Sequence, residues 1–440
     1  MSSFSDLGLA TPLLRALEAQ NHVTPTPIQT AAIPSVRDGR DLLGVAQTGT
    51  GKTGAFALPM LHRLMEANRR PPRKGCRALI LSPTRELASQ IQQSFRDYGR
   101  HLPLTSTVVF GGVPIGRQIR ALANGVDVLV ATPGRLLDLI GENALRLDLV
   151  EIFVLDEADQ MLDMGFIQPI RRIVARLPNE RQNLFFSATM PDAIGELAGQ
   201  LLRDPVKVAV TPVATTAERV DQRVWMVSGP GKRSALAEAL SDETLERALV
   251  FARTKHGADK IVRQLVEDGI DAEAIHGNKS QGQRERALGA FRTGRIKVLV
   301  ATDIAARGID VAGVTHVVNH DMPNVPESYV HRIGRTARAG AEGIAISLVA
   351  PDERGMLREI QKLIRMEIPS EDRGGASLPT PPASQEAHRR QGRNARGGGQ
   401  PPQRSGRGGE ARGDGRGGKP QQRPARGGGF GGGQRRAAAR

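Results

Sequence analysis

Cysteine occurs once in 440 residues, at Cys76, which excludes an internal disulfide and a cysteine-based zinc site. The nine histidines show no metal-ligand spacing. Aromatic residues are scarce, at 3% against 39% hydrophobic, a balance that favours aliphatic α/β packing over an all-β sandwich. No stretch approaches the ~18 apolar residues of a membrane span. The opening residues, Met1 to Asp6, lack the basic and apolar regions of a signal peptide. The expectation is a cytoplasmic protein without a membrane partner, long enough for two or three domains.

What the chain has in excess is positive charge, +15 at neutral pH. Surplus Lys and Arg raise affinity for phosphate backbones, although a solvated basic surface is the plainer explanation. The surplus is concentrated. From Glu371 onward there are 15 Lys/Arg against five Asp/Glu, in a run of Gly, Arg, Pro and Gln such as Arg404-Ser405-Gly406-Arg407-Gly408-Gly409. Such a segment buries too little apolar surface to offset its conformational entropy, so residues 371–440 are expected to form a disordered tail. Its arginines suit sequence-tolerant RNA contact through phosphates and base stacking. A solubilising linker is the alternative.

Upstream, short apolar runs alternate with amphipathic stretches. Leu42 to Ala46, Ala78 to Leu81, Thr107 to Phe110, Val126 to Val130, Ile152 to Leu155 and Leu184 to Phe186 suit strands covered on both faces. The pattern restarts with Val224 to Val227, Ala248 to Phe251, Val298 to Ala301, His316 to Val318 and Ile344 to Leu348, and a helix over Met356 to Met366 closes it. Trp225 reads as core or interface packing. The expected organisation is an α/β domain over 1–208, a linker over 209–218, a second α/β domain over 219–370, then the tail.

Ala46-Gln47-Thr48-Gly49-Thr50-Gly51-Lys52-Thr53 lies between a predicted strand and an apolar helical run, the context of a phosphate-binding loop. Gly49 and Gly51 let backbone N–H groups wrap the phosphates, with Gln47, Thr48 and Thr50 of the same loop as further nucleotide contacts. Lys52 supplies charge at the β/γ-phosphates, and the Thr53 hydroxyl suits Mg2+. Asp156-Glu157-Ala158-Asp159 follows the strand Ile152 to Leu155, where open α/β sheets bind ligands. Asp156 suits the Mg2+ shell and Glu157 the orientation and deprotonation of an attacking water. An acid cluster after a strand is otherwise a helix cap. Together the two motifs imply an NTPase.

Across residues 4 to 369 the motifs resemble the DEAD-box branch of superfamily 2 RNA helicases, for which Asp156 to Asp159 spells the family name. The resemblance implies two tandem RecA-like domains with parallel sheets. Phe4 and Thr24-Pro25-Thr26-Pro27-Ile28-Gln29 look like the family's Q motif, which implies that Gln29 bonds adenine and Phe4 stacks on it; Asn21-His22 departs from the usual Gly-aromatic pair. Pro83-Thr84-Arg85-Glu86-Leu87-Ala88, Gly111-Gly112 and Thr132-Pro133-Gly134-Arg135 look like first-domain RNA elements, with Arg85, Gly112, Thr132 and Arg135 as contacts. Ser187-Ala188-Thr189 resembles the motif that couples hydrolysis to strand opening, and His331 is assigned to the same coupling. In the second half, Arg253, Gln281, Arg284, Thr302 and Arg307 match RNA contacts and Asp310 a nucleotide contact. Within His331-Arg332-Ile333-Gly334-Arg335-Thr336-Ala337-Arg338, Arg335 and Arg338 match arginine fingers. The phrase His276 to Gln281 and the Gly/Arg tail most resemble the bacterial RhlE group.

The resemblance implies ATP and Mg2+ as cofactors, RNA held by its backbone with little sequence preference, and local opening of short duplexes. A DNA-directed ATPase of the same superfamily and an RNA-annealing scaffold are the rival readings, and a P-loop kinase would not need the second α/β half. Ribosomal precursors and RNA-decay proteins are compatible partners. No heptads stand out, so a monomer is the default expectation.

Overall fold

The computed structural model describes residues 3–373 apart from 48, 211–219, 308, 310, 312 and 338–341. The first lobe holds strands β1 Leu42–Val45, β2 Cys76–Leu81, β3 Ser106–Val109, β4 Val126–Ala131, β5 Ile152–Leu155, β6 Gln182–Ser187 and β7 Val206–Ala209, ordered β3-β4-β2-β5-β6-β1-β7. The second holds β8 Val220–Met226, β9 Ala248–Phe251, β10 Ala272–Ile275, β11 Val298–Ala301, β12 His316–Asn319, β13 Gly343–Val349 and β14 Ser370–Asp372, ordered β10-β11-β9-β12-β13-β8-β14. Every pairing is parallel. Adding seven to each strand number of the first order reproduces the second, so the lobes are topological copies.

Parallel strands need crossover helices, which cover both faces. Accordingly β2, β4, β9 and β11 are buried at every residue. Their side chains alternate between cores: Ala78 and Ile80 of β2 face one, Leu79 and Leu81 the other. In the second lobe Ala248 and Val250 face one core, Leu249 and Phe251 the other. Arg77 is 1% exposed within β2. It is kept there by Glu151 at 2.8 Å, Asp127 at 3.4 Å and the carbonyl of Leu64 at 3.0 Å, partners that offset its desolvation.

The expected two α/β halves are present, with three added strands. β7, β10 and β14 went unread, and all three are sheet edges. An edge strand packs on one neighbour only, so β10 (Ala272-Glu273-Ala274-Ile275) and β14 (Ser370-Glu371-Asp372) lack the continuous apolar run that marks a central strand. β14 also crosses the expected boundary at 370/371. It pairs with Val224 to Met226, and the Arg373 guanidinium sits 4.4 Å from the Trp225 ring centroid. The expected tail from residue 374 and most of the expected linker lie outside the described residues. No helix among the described residues is long and apolar enough to cross a membrane.

A chain ending at Pro369 loses β14 and the cation over its one tryptophan. The expected result is red-shifted Trp225 emission and a melting temperature lower by about 2–4 °C. Unchanged emission and melting would mean that the strand adds nothing.

Candidate active site between the lobes

The adjacent strands β5, β6 and β1 bring three segments of the first lobe together at their carboxyl ends. After β1 the chain turns through Gly49 (φ 84°) and Gly51 (φ 94°), left-handed conformations that suit glycine and turn backbone N–H groups inward. Lys52 opens the helix Lys52–Glu66. Its Nζ donates to the Ala46 carbonyl at 2.9 Å and lies 2.7 Å from Glu157 Oε1, with both side chains 5% exposed or less. Burial alone favours the neutral amine, but the fields of Glu157 and Asp156 outweigh it and hold the lysine pKa above its ordinary value.

Glu157 occupies the left-handed region at φ 56°, rare for a side-chain-bearing residue, and its Oε2 accepts from Gln160 Nε2 at 2.9 Å. Beside it, burial and the Glu157 charge push the Asp156 carboxyl up to about 7. Asp156 Oδ1 is buried without a hydrogen-bond partner. A buried, unsatisfied carboxylate oxygen on the cavity that Thr53 also lines fits Mg2+, which takes one or two protein oxygens and completes its shell with water and phosphate. Among the described residues no cluster of three His, Cys, Asp or Glu side chains forms a metal cage.

Asp159 ties this site to the end of β6. Its Oδ2 accepts from the Thr189 N–H and hydroxyl, both at 2.9 Å, while its N–H donates to Ser187 Oγ at 3.2 Å. Ser187 Oγ in turn donates to the Thr189 carbonyl at 2.7 Å. His331 of the second lobe shares a cavity with Glu157, Gln160 and Thr189. Burial lowers its pKa against the opposing pull of Asp159, so the imidazole is neutral at pH 7.

A cavity of about 710 Å³ unites Phe4, Gln29, Lys52, Asp156, Glu157 and, from the second lobe, Arg335. Gln29 accepts from the Thr26 N–H at 2.9 Å and donates to the Gly51 carbonyl at 3.1 Å, so it braces the phosphate loop. Gln47 shares the smaller cavity with Glu157 and Arg335, and the Thr50 hydroxyl donates to the Gln47 carbonyl at 2.8 Å. Arg335 Nη1 donates to the Ile309 carbonyl at 3.0 Å. Thr48, Asp310 and Arg338, also expected here, lie outside the described residues. Sequence reasoning missed Gln160 and Tyr98; Tyr98, on the cavity wall edge-on to His22, is far from any motif.

Of the remaining expected contacts, Thr132 and Thr302 occupy equivalent positions in the two copies. Thr84 and Thr254 cap the helices after β2 and β9, and Thr132 and Thr302 precede those after β4 and β11. Arg85 makes no ion pair or hydrogen bond among the described residues. Burial and the nearby cations Arg284 and Arg135 lower its pKa, so an anion would be welcome there. Its guanidinium packs against Gly112 so closely that a Cβ would lie 2.1 Å from Nη1. Arg135 is instead bonded to the Val113 carbonyl and Gln118, each at 3.0 Å, and holds the Gly112 loop. Gln281 and Arg284 are buried, and Arg284 reaches Glu86 of the first lobe at 2.7 Å. Arg307 likewise reaches Asp163 at 2.7 Å. Two residues expected on RNA thus also join the lobes, through acidic partners the sequence did not single out.

Two family models match the chain: DEAD/DEAH box helicase over residues 26–197 and helicase conserved C-terminal domain over 231–340. The RNA helicase CrhR of Synechocystis is 46% identical over 368 residues, 83% of this chain and 74% of that protein. S. cerevisiae Dbp5 bound to RNA and ADP BeF3 is 33% identical with a TM-score of 0.73, covering 84% of this chain and 96% of Dbp5. A variant of Dbp5 bound to nup159, gle1, ip6 and adp covers the same shares at 32% identity, with a TM-score of 0.57.

A Cβ on Gly54 would lie 2.6 Å from Gln29 Nε2, which can move aside. Gly54→Ala should therefore detach Gln29 from the Gly51 carbonyl and weaken adenine-nucleotide binding by about tenfold without unfolding. Titration with a fluorescent adenine nucleotide checks this, and unchanged affinity would dissociate Gln29 from loop shape.

Proposed function

The chain belongs to the DEAD-box family and is an ATP-dependent RNA helicase; from that premise we propose that it works as a clamp whose ATP site is completed only when the lobes meet. The carrying observation is the cavity shared by Lys52 and Glu157 of one lobe with Arg335 of the other. The higher TM-score against Dbp5 with RNA and ADP BeF3 than against Dbp5 with nup159, gle1, ip6 and adp supports a lobe arrangement of the clamped kind.

In this reading Gln29 and Phe4 hold adenine, and the backbone from Gln47 to Thr53 cradles the phosphates with Lys52 charge at their outer end. Asp156 and the Thr53 hydroxyl would hold Mg2+, which neutralises phosphate charge when bound. Glu157, fixed by Lys52 and Gln160, orients water toward the γ-phosphate and accepts its proton. Arg335, with Arg338 by resemblance, stabilises the charge that develops in transfer. Asp310 would complete the nucleotide contacts. Asp159 and Ser187, bonded to Thr189, would relay the state of the γ-phosphate to His331, which lines a cavity with Thr189 and Glu157.

Arg85, Gly112, Thr132, Arg253, Thr302 and Arg307 would hold the RNA backbone, with Arg135 shaping the Gly112 loop and Gln281 and Arg284 bracing the junction. RNA and ATP both favour closure, so each should tighten the other. Backbone and 2′-OH contacts favour RNA over DNA with little sequence preference. A bent single strand does not fit an A-form duplex, so short duplexes open locally. Membership of the RhlE group, cytoplasmic action, a monomeric state, an RNA-tethering tail, and a role in ribosome assembly or RNA decay belong to the same proposal.

Steady-state ATPase with single-stranded RNA against matched DNA tests the clamp. Strong stimulation by RNA alone is expected; equal stimulation by DNA would overturn RNA selectivity. Glu157→Gln should keep nucleotide binding and stall turnover, trapping a tight RNA complex visible by fluorescence anisotropy. Arg335→Ala should lower RNA-saturated kcat by about 10³-fold with ATP affinity little changed, and normal turnover would remove the arginine from the mechanism.

A further inference from the structure

The duplicated topology raises a question about the second lobe, since it has the same converging strand ends but a different occupant. By strand order, β8 corresponds to β1, β9 to β2, β12 to β5 and β13 to β6. After β8 the chain reads Ser228-Gly229-Pro230-Gly231-Lys232-Arg233-Ser234, and Lys232 opens the helix Lys232–Ala239 as Lys52 opens its own. After β12, Asp321 approaches Lys232 at 3.5 Å, as Glu157 approaches Lys52 after β5. The loop itself differs. Gly231 has φ −72°, so the inward-turned backbone of Gly49 and Gly51 is not repeated.

The place beside this second lysine is filled from within the chain. Glu353, 3% exposed in the turn Pro351–Glu353 after β13, accepts from four donors on four adjacent strand ends. Its Oε2 lies 2.6 Å from Lys232 Nζ and 3.1 Å from the Ala350 N–H. Its Oε1 lies 2.5 Å from Arg253 Nη2 and 3.1 Å from the Met322 N–H. Asp321 Oδ2 adds a bond to the Arg253 N–H at 2.9 Å. One end of the Arg253 guanidinium is thereby fixed, while its side chain stays 36% exposed.

We propose that Glu353 is a built-in anion standing where the first lobe takes a phosphate, and that it is a positioning residue that aims Arg253 at the RNA backbone. This rests on the reading of Arg253 as an RNA contact. A free arginine samples many rotamers, and losing them on binding weakens the contact. A carboxylate with both oxygens satisfied by the sheet ends removes that cost before RNA arrives.

The test uses the full chain and compares Arg253→Ala, Glu353→Ala and the double variant for RNA-stimulated ATPase, with and without added formate. Arg253→Ala comes first: if half-saturating RNA is unchanged, the RNA reading of Arg253 fails, and this proposal with it. Given an effect there, Glu353→Ala should raise half-saturating RNA by about tenfold with kcat within about twofold. Formate, entering the space among Lys232, Arg253 and the two N–H groups, should restore most of the affinity in Glu353→Ala and none in the double variant, which should bind RNA no worse than Arg253→Ala. Unchanged half-saturating RNA in Glu353→Ala, loss of kcat instead of RNA affinity, or additive losses in the double variant would overturn the positioning role. If Glu353→Ala does not fold, Glu353→Gln decides: it keeps the shape and one acceptor oxygen, and full RNA affinity in it would overturn the requirement for an anion.

Discussion

A parallel strand reaches its neighbour only through a crossover, and this constraint underlies the rest of the molecule. Because every strand in both sheets runs the same way, all carboxyl ends open on one edge of each lobe. Three of the segments that meet at the site follow strand ends, the Gly49 to Lys52 loop after β1, Asp156 and Glu157 after β5, and Ser187 and Thr189 at β6, whereas Gln29 lies on the helix before β1 and Arg335 just past a second-lobe helix. Short loops there are anchored by buried strands, so side chains distant in sequence are fixed to hydrogen-bonding precision. Lys52 and Glu157, 105 positions apart in the numbering, meet at 2.7 Å for this reason.

Buried charge is the second theme. Lys52 with Glu157, Arg77 with Glu151 and Asp127, Arg284 with Glu86, and Glu353 with Lys232 and Arg253 are each nearly or wholly removed from water on at least one side. Such pairs contribute little net stability compared with apolar replacements, but losing one partner leaves a costly unpaired charge. They therefore fix geometry more than they add stability. The pair at Glu86 differs in spanning the lobes, as Arg307 with Asp163 also does. Asp156 stands apart from these carboxylates, with an oxygen that has no hydrogen-bond partner and a pKa pushed up to about 7 by burial and the Glu157 charge.

Repetition gives the lobes different tasks from one plan. The threonines that cap the helices after β2 and β9, and those after β4 and β11, recur at matching positions. One copy presents an open phosphate loop, whereas the other closes the corresponding place with its own carboxylate. That division is consistent with a single ATP per two-lobe unit, with the second lobe contributing Arg335 across the junction.

The central strands were legible because burial on both faces favours near-continuous apolar runs, as in Ile152 to Leu155 or Val298 to Ala301. Edge strands escape that demand: β3 was still read from Thr107 to Phe110, but β7, β10 and β14, which carry Lys207, Glu273 and Glu371-Asp372, were not, and the fold continues past the compositional break at residue 371. Local motifs such as Gly49 to Thr53 and Asp156 to Asp159 point through residue type and spacing to an NTPase, and their resemblance to the DEAD-box family carries that reading to an ATP-dependent RNA helicase, which the family models and relatives bear out. The sequence by itself did not show that Arg135 and Arg284 are engaged by protein partners, that Gln160 holds Glu157, or that Glu353 stands beside Lys232. Those pairings join segments from different strand ends, and only the order in which the sheets assemble decides which ends become neighbours.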